Sequence, residues 1–127
     1  MRGREPIVPQ RRRRIPPQFS WVDHRLVREG HLRGRSAPAL ALYLFLVTVS
    51  DADGLSWYSD PALCRYLGWT PAEVEAARSE LQQAGLIAVR LPLCQVLDLA
   101  PLEPPRSRTD GPVSVGDILR QMLGGAR

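Results

Sequence analysis

A chain of 127 residues is long enough for one small domain with an apolar core and too short for two. A membrane-spanning helix needs about 20 apolar residues, so the longest apolar run, residues 39–49, is too short to be one. The two cysteines lie far apart, without a CxxC motif or a neighbouring histidine, which excludes a zinc finger and a disulfide framework. The net charge of +4 favours an acidic partner.

The basic charge is concentrated at the N-terminus. Residues 1–36 contain ten arginines and three acidic residues, a net charge of +7, whereas residues 37–100 contain three arginines and seven acidic residues, a net charge of −4. Residues 1–18 combine four prolines with the run Arg11, Arg12, Arg13 and Arg14, and like charges beside prolines resist a compact helix. The sequence therefore predicts a disordered basic arm over residues 1–18, where a signal peptide would have an apolar segment.

Two helices and a strand are predicted after the arm. Helical spacing indicates a short first helix within residues 21–30, with Phe19 or Trp21 packing on the domain. A serine N-cap and a first-turn proline then begin a second helix, residues 37–50, whose apolar residues on every side are typical of a buried central helix. The turn signal DADG and the alternating LSWY, residues 51–58, predict a turn and a brief strand.

The next segment combines two helices with two strands. A third helix is predicted over residues 60–67 and ends at a glycine. A fourth helix follows up to Ala84, with Thr70 as N-cap and Glu73 at the spacing of a capping box. Its apolar stripe consists of Val74, Ala77, Leu81 and Ala84. Two short strands are predicted over residues 86–90 and 94–99.

The C-terminal part of the chain is predicted to be a tethered helix. Residues 101–113 are a proline-rich linker with almost nothing to bury, and residues 114–127 hold a short amphipathic helix and a tail. Its apolar positions are Val115, Ile118, Leu119, Met122 and Leu123. Two interpretations remain open: the helix folds back over apolar surface of the domain, or it orders when it docks in a groove on a protein partner. The proline-rich tether favours the second.

The segment 59–87, SDPALCRYLGWTPAEVEAARSELQQAGLI, resembles the winged helix-turn-helix domains of bacterial transcriptional regulators and plasmid replication initiators. The matching positions are Leu63, Leu67, Gly68, Thr70, Val74, Leu81, Gly85, Leu86 and Ile87. The resemblance implies a mainly α domain with a small β-hairpin wing, residues 19–100. It also implies that the fourth helix lies in the major groove of DNA and that the hairpin touches the DNA backbone.

The fourth helix carries the candidate base contacts. Its exposed crest should be Ala72, Ala76, Ser79 and Gln83, flanked by Glu73 and Glu80 on one side and Glu75 on the other. Serine and glutamine can contact base edges, and glutamate can accept from cytosine. The crest has no positive charge, although neutralised phosphates supply most DNA affinity. The predicted DNA-binding residues are therefore Arg11, Arg12, Arg13, Arg14, Arg65, Thr70, Ala72, Glu73, Ala76, Ser79, Gln83 and Arg90.

Other side chains favour structural roles. We expect His24 and His31 to be surface histidines, since a metal would need a third ligand. The aromatic residues Trp57, Tyr58, Tyr66 and Trp69 fit core and rim packing better than base stacking. We expect both cysteines to be buried, reduced thiols. The sequence contains no catalytic motif, so we expect no enzyme, no cofactor and no metal.

Two functional hypotheses follow. The first is a small nonenzymatic protein that binds double-stranded DNA in the bacterial cytoplasm, on the nucleoid, for transcriptional regulation or for replication or transposition of a mobile element. In it the arginine arm supplies affinity and the fourth helix supplies orientation. The second is a protein-protein adaptor, in which the small residues of the fourth helix admit a partner helix and the C-terminal helix docks on a partner protein.

Overall fold

In the computed structural model of the protein, residues 3–99 are described. They form four α-helices and one three-stranded antiparallel sheet, preceded by a single 3-10 turn at Pro9–Arg11. The helices are α1 (Arg25–Arg28), α2 (Ala37–Val49), α3 (Asp60–Leu67) and α4 (Pro71–Gln83). The strands are β1 (Leu55–Trp57), β2 (Ile87–Arg90) and β3 (Leu93–Val96).

Three of the helices begin at the residues that the sequence predicts. The hydroxyls of Ser36, Ser59 and Thr70 each accept a hydrogen bond from the backbone N–H three residues on, at 3.2, 3.3 and 3.2 Å. Each of these caps is followed by a proline in the first turn. Such a cap stabilises a helix by about 1 kcal/mol. The predicted bounds of α2, α3 and α4 are confirmed to within one residue.

The first helix is much shorter than predicted. Asp23 accepts a hydrogen bond from the backbone N–H of Arg25 at 2.9 Å, so the helix starts only after Asp23 and spans Arg25–Arg28. Trp21 and Phe19 therefore precede it and are 74% and 66% exposed. Neither ring is buried in the core, contrary to the prediction that one of them packs there; both line a surface pocket beside α2.

The sheet has the strand order β1-β3-β2. β3 lies in the middle, with Cys94 opposite both Ser56 of β1 and Val89 of β2. The last predicted strand, 94–99, ends early at Val96. Beyond it, the Leu99 carbonyl accepts a hydrogen bond from the Arg25 guanidinium at 3.2 Å, so the chain leaves the sheet towards α1.

The core lies between α2, α4 and the sheet. The side chains of Leu42, Val74 and Leu81 are its largest fully buried groups. The prediction that α2 is buried is right for one face only, since Ala39, Leu42 and Leu46 are buried while Leu44 is 60% exposed. No helix in the described part of the chain is long and apolar enough to cross a membrane.

The arm predicted over residues 1–18 lies largely within the described range. Every residue from Gly3 to Val22 is exposed, and the 3-10 turn is the only regular element there. The predicted linker, residues 101–113, and the predicted helix and tail, residues 114–127, lie outside the described residues. The same holds for the proposed docking side chains Val115, Ile118, Leu119, Met122 and Leu123.

Candidate nucleic-acid interface

A tight turn joins α3 to α4. Gly68 adopts the left-handed conformation, with φ 71°, and its N–H donates to the Cys64 carbonyl at 2.8 Å. The N–H of Trp69 donates to the same carbonyl at 3.2 Å, and Thr70 then caps α4. Because Leu63 of α3 and Val74 of α4 are buried in one core, the two helices hold a fixed orientation.

The crest of α4 faces away from the core. Ala72, Ala76 and Gln83 are exposed, and Ser79 is half-buried. Within residues 3–99, neither Ser79 nor Gln83 uses its side chain in a hydrogen bond. The crest therefore offers two small apolar groups and two polar groups without intramolecular partners.

Glu73 belongs to the cap of the helix. Its carboxylate accepts a hydrogen bond from the backbone N–H of Thr70 at 2.8 Å, while the Thr70 hydroxyl accepts from the Glu73 N–H at 3.2 Å. This capping box, predicted from the spacing, places the negative charge at the positive end of the helix dipole. The side chains of Thr70 and Glu73 thus have a structural role, although both remain exposed.

Arg78 is buried, which the sequence analysis missed. The residue is 5% exposed, and its guanidinium donates to Glu75 at 2.8 Å and to Asp60 of α3. A stripe of apolar positions does not reveal such a group, because arginine is counted as a surface residue unless a carboxylate partner can be identified. Arg78 therefore ties α4 to α3 and offsets the charge of Glu75.

Glu80 bonds to the start of α2. Its two carboxylate oxygens accept hydrogen bonds from the Ser36 hydroxyl at 2.6 Å and from the Ser36 backbone N–H at 2.7 Å. These bonds, the hydroxyl one foremost, hold the pKa of the Glu80 carboxyl below its ordinary value. Glu73, Glu75 and Glu80 each have an intramolecular partner, but only Glu75 is paired with a cation, so Glu73 and Glu80 keep their negative charges.

The arginines predicted to bind DNA are exposed on α3, on β2 and along the arm. Arg65 lies in the last turn of α3, and Arg90 ends β2; both side chains are exposed. Those of Arg11, Arg12, Arg13 and Arg14 are exposed too. Among residues 3–99, none of these six makes an ion pair. Arg25, by contrast, pairs with Asp23 at 2.8 Å and with Asp98 at 3.4 Å, so it adds little free positive charge.

The histidines and aromatic residues differ in exposure, and Tyr66 is 66% exposed although it belongs to a packed aromatic cluster. His24 is exposed as expected, but the side chain of His31 is only 7% exposed, so that expectation is wrong for His31. His31 lies in the turn after α1, and its Nε2 is 3.7 Å from a carboxylate oxygen of Glu29. Tyr58 and Tyr66 pack with Phe45, with ring centroids 5.3 and 5.6 Å from the Phe45 ring. This cluster fits the predicted packing role.

Both cysteines are free thiols and half-buried. Burial raises the pKa of the Cys94 thiol, which keeps it protonated at neutral pH. In the described range, no three histidine, cysteine or acidic side chains are grouped so that they could hold a metal ion.

Comparisons of the chain with protein-family models, with curated proteins and with solved structures give no match.

Proposed function

We propose that the protein is a winged-helix protein that binds double-stranded DNA without catalysing a reaction. The element order supports this fold: α3, a glycine turn and α4 are followed by the β2-β3 hairpin, and β1 joins the sheet beside β3. In such an arrangement α4 is the recognition helix and the hairpin is the wing. The proposed DNA-contacting surface consists of the α4 crest, Arg65, Arg90 and the arm arginines.

One observation carries the proposal. Each glutamate on α4 is engaged within the molecule: Arg78 offsets the charge of Glu75, while Glu73 and Glu80 keep their charges but are held by hydrogen bonds to Thr70 and Ser36. The crest itself is uncharged, with the hydroxyl of Ser79 and the amide of Gln83 as hydrogen-bonding groups. Glutamine makes a bidentate contact with adenine, worth about 1–3 kcal/mol of discrimination against a wrong base.

Most of the affinity comes from the arm. Arg11, Arg12, Arg13 and Arg14 are exposed, and each arginine that neutralises a phosphate adds about 0.9 to the slope of log affinity against log salt. An arm of this kind lies along phosphates or enters the minor groove. In this proposal the arm supplies affinity and the crest supplies orientation.

A selection experiment tests the role of the crest. The intact protein is incubated with a randomised duplex pool, and the enriched duplex is compared with an unrelated one in gel shifts. We expect Ser79→Ala with Gln83→Ala to weaken binding to the enriched duplex by about 10-fold or more and to leave the unrelated duplex unchanged. Gln82→Ala is the matched control, since Gln82 is an exposed glutamine of the same helix outside the crest. Absence of binding to any duplex at low salt contradicts the proposal.

The second candidate is the protein-protein adaptor. Burial of Arg78 favours it, because Arg78 is the single basic residue of α4 and the helix consequently presents no cation. The exposed Ala72 and Ala76 would let a partner helix approach closely. In this case Ala76→Arg abolishes partner binding, whereas for a DNA-binding helix the added charge strengthens DNA binding at low salt.

The biological setting we propose is bacterial transcriptional regulation, or replication or transposition of a mobile element.

A further inference from the structure

A pocket of about 350 Å³ lies on the domain away from the α4 crest. Its walls are the segment before α1, the end of α2 with the turn after it, and the residues that follow β3. The apolar lining includes Phe19, Trp21 and Val22, which are 66%, 74% and 53% exposed. Three large apolar side chains on one rim leave considerable apolar surface in water, which is unusual unless something covers it.

The chain itself leads into this pocket. Leu99 lines it, and the Leu99 carbonyl is held by Arg25 at 3.2 Å. Arg25 is in turn held by Asp23 at 2.8 Å and contacts Asp98 at 3.4 Å. The point from which residues 100–127 depart is therefore fixed at the pocket wall.

The charged side chains that line the pocket are all acidic. All four charged side chains in its lining are aspartates: Asp23, Asp51, Asp53 and Asp98. Asp23 is neutralised by Arg25, and Asp51 accepts hydrogen bonds from the backbone N–H groups of residues 53 and 55 at 2.9 Å. Asp53 has no side-chain partner within the described part of the chain. An occupant with an apolar face and a positive charge suits such a lining.

We propose that residues 114–123 of the same chain occupy this pocket as an amphipathic helix. Val115, Ile118, Leu119, Met122 and Leu123 repeat at i, i+3, i+4, i+7 and i+8, so they form one apolar face. Arg120 lies beside that face, whereas Asp117, the other charged residue of the segment, lies on the opposite side of the helix. A helix of ten residues is marginal in water by itself, so docking supplies its stability.

The tether is long enough for this contact. Residues 100–113 separate Leu99 from the segment, and at about 3.1 Å per residue, the rise of a proline-rich chain, fourteen residues reach up to roughly 43 Å. Because the tether starts at the pocket wall, the segment is presented at a millimolar effective concentration. A partner protein would have to compete with this local concentration. The inference is independent of DNA binding.

Hydrogen exchange of the full chain, followed by mass spectrometry, tests the docking. We expect the amides of residues 114–123 to exchange at least about tenfold more slowly than those of an unstructured peptide, independently of protein concentration. Trp21→Ser should remove this protection, whereas the control Trp57→Ser should retain it, since Trp57 is exposed on β1 and does not line the pocket. Circular dichroism verifies that both variants remain folded.

A second variant changes the docking segment instead of the pocket. Leu119→Asp should increase exchange in residues 50–54, which line the pocket, while Arg127→Ala leaves it unchanged. The proposal is overturned if residues 114–123 exchange at the unprotected rate in the unmodified protein, or if Trp21→Ser leaves their protection intact. Protection that rises with protein concentration also overturns it, because the occupant would then be a second copy of the chain.

Discussion

Glu80 of α4 accepts both hydrogen bonds that Ser36, the N-cap of α2, can donate: one from its backbone N–H at 2.7 Å and one from its hydroxyl at 2.6 Å. The Ser36 hydroxyl oxygen meanwhile accepts from the N–H of Ala39 at 3.2 Å. A side chain of the proposed recognition helix therefore completes the cap of the central helix. The bond fixes the position of α4 on the core, which a DNA-reading helix requires.

Because Glu80 bonds to Ser36, the stability of the folded protein should depend on pH. The folded pKa of Glu80 is lowered, so its stabilisation is fully present above the ordinary value of 4.5 and is lost as pH falls through the lower folded pKa. Glu80→Gln should lower the melting temperature at pH 7, and the difference from the unmodified protein should shrink on acidification below about pH 4.5. Thermal melts from pH 7 to about pH 3 check this. Glu5→Gln in the exposed arm is the control, and identical pH profiles for the two variants would refute the role of Glu80.

Arg78 should matter for stability far more than the exposed Arg65. Arg78→Met leaves the carboxylates of Asp60 and Glu75 without their partner, and we expect a loss of about 1–3 kcal/mol in the free energy of unfolding. The partially exposed carboxylates recover water, which keeps the loss below that of a fully buried pair. Arg65→Met, at an exposed position of α3, should change stability by less than about 0.5 kcal/mol. Urea denaturation measures both, and equal effects would contradict the structural role of Arg78.

The turn before β1 depends on a glycine. Gly54 has φ 85°, and a Cβ on it would lie 2.5 Å from the backbone oxygen of Val96. The N–H of Val96 also donates to the Gly54 carbonyl at 2.8 Å, so the two segments cannot separate without losing that bond. We expect Gly54→Ala to cost about 2–3 kcal/mol.

Gly34 supplies the comparison for that substitution. It has a similar φ of 80°, but no atom within 4 Å would meet an added Cβ. Gly34→Ala should therefore show only the backbone strain, about 1 kcal/mol. If the two alanine variants unfold at the same denaturant concentration, the steric contact with Val96 does not destabilise the Gly54→Ala variant.

Local signals allowed much of the fold to be predicted. Caps, prolines and glycines define α2, α3 and α4, because each of these signals acts within four residues of the helix end. The exposed crest of α4 likewise follows from helical periodicity. The length of α1 could not be predicted, since Asp23 competes with the helix through a local hydrogen bond that helical spacing does not reveal.

Most of the electrostatic contacts in the candidate site could not be predicted from the sequence. Glu80 and Ser36 are 44 positions apart, and Arg78 and Asp60 are 18 apart, so both contacts depend on how the helices pack. From the sequence, Glu73, Glu75 and Glu80 are three acids beside the proposed DNA-binding surface. In the structure they are a capping box, an ion pair and an interhelical bond. The capping box was predicted and the Glu75–Arg78 pair could have been, because in each case both partners lie on one helix turn, whereas the bonds from Glu80 to Ser36 and from Arg78 to Asp60 join distant parts of the chain.

The salt dependence of duplex binding tests the central proposal most directly. Fluorescence anisotropy would be measured with the intact protein and with Arg11, Arg12, Arg13 and Arg14 all changed to alanine, from about 50 to 300 mM salt. We expect the intact protein to bind with a steep negative slope of log affinity against log salt. Loss of four phosphate contacts should make that slope shallower by about 3–4, whereas changing the same residues to lysine should preserve it. No binding by the intact protein at low salt, or identical slopes for the intact and alanine proteins, would contradict the proposed role of the arm.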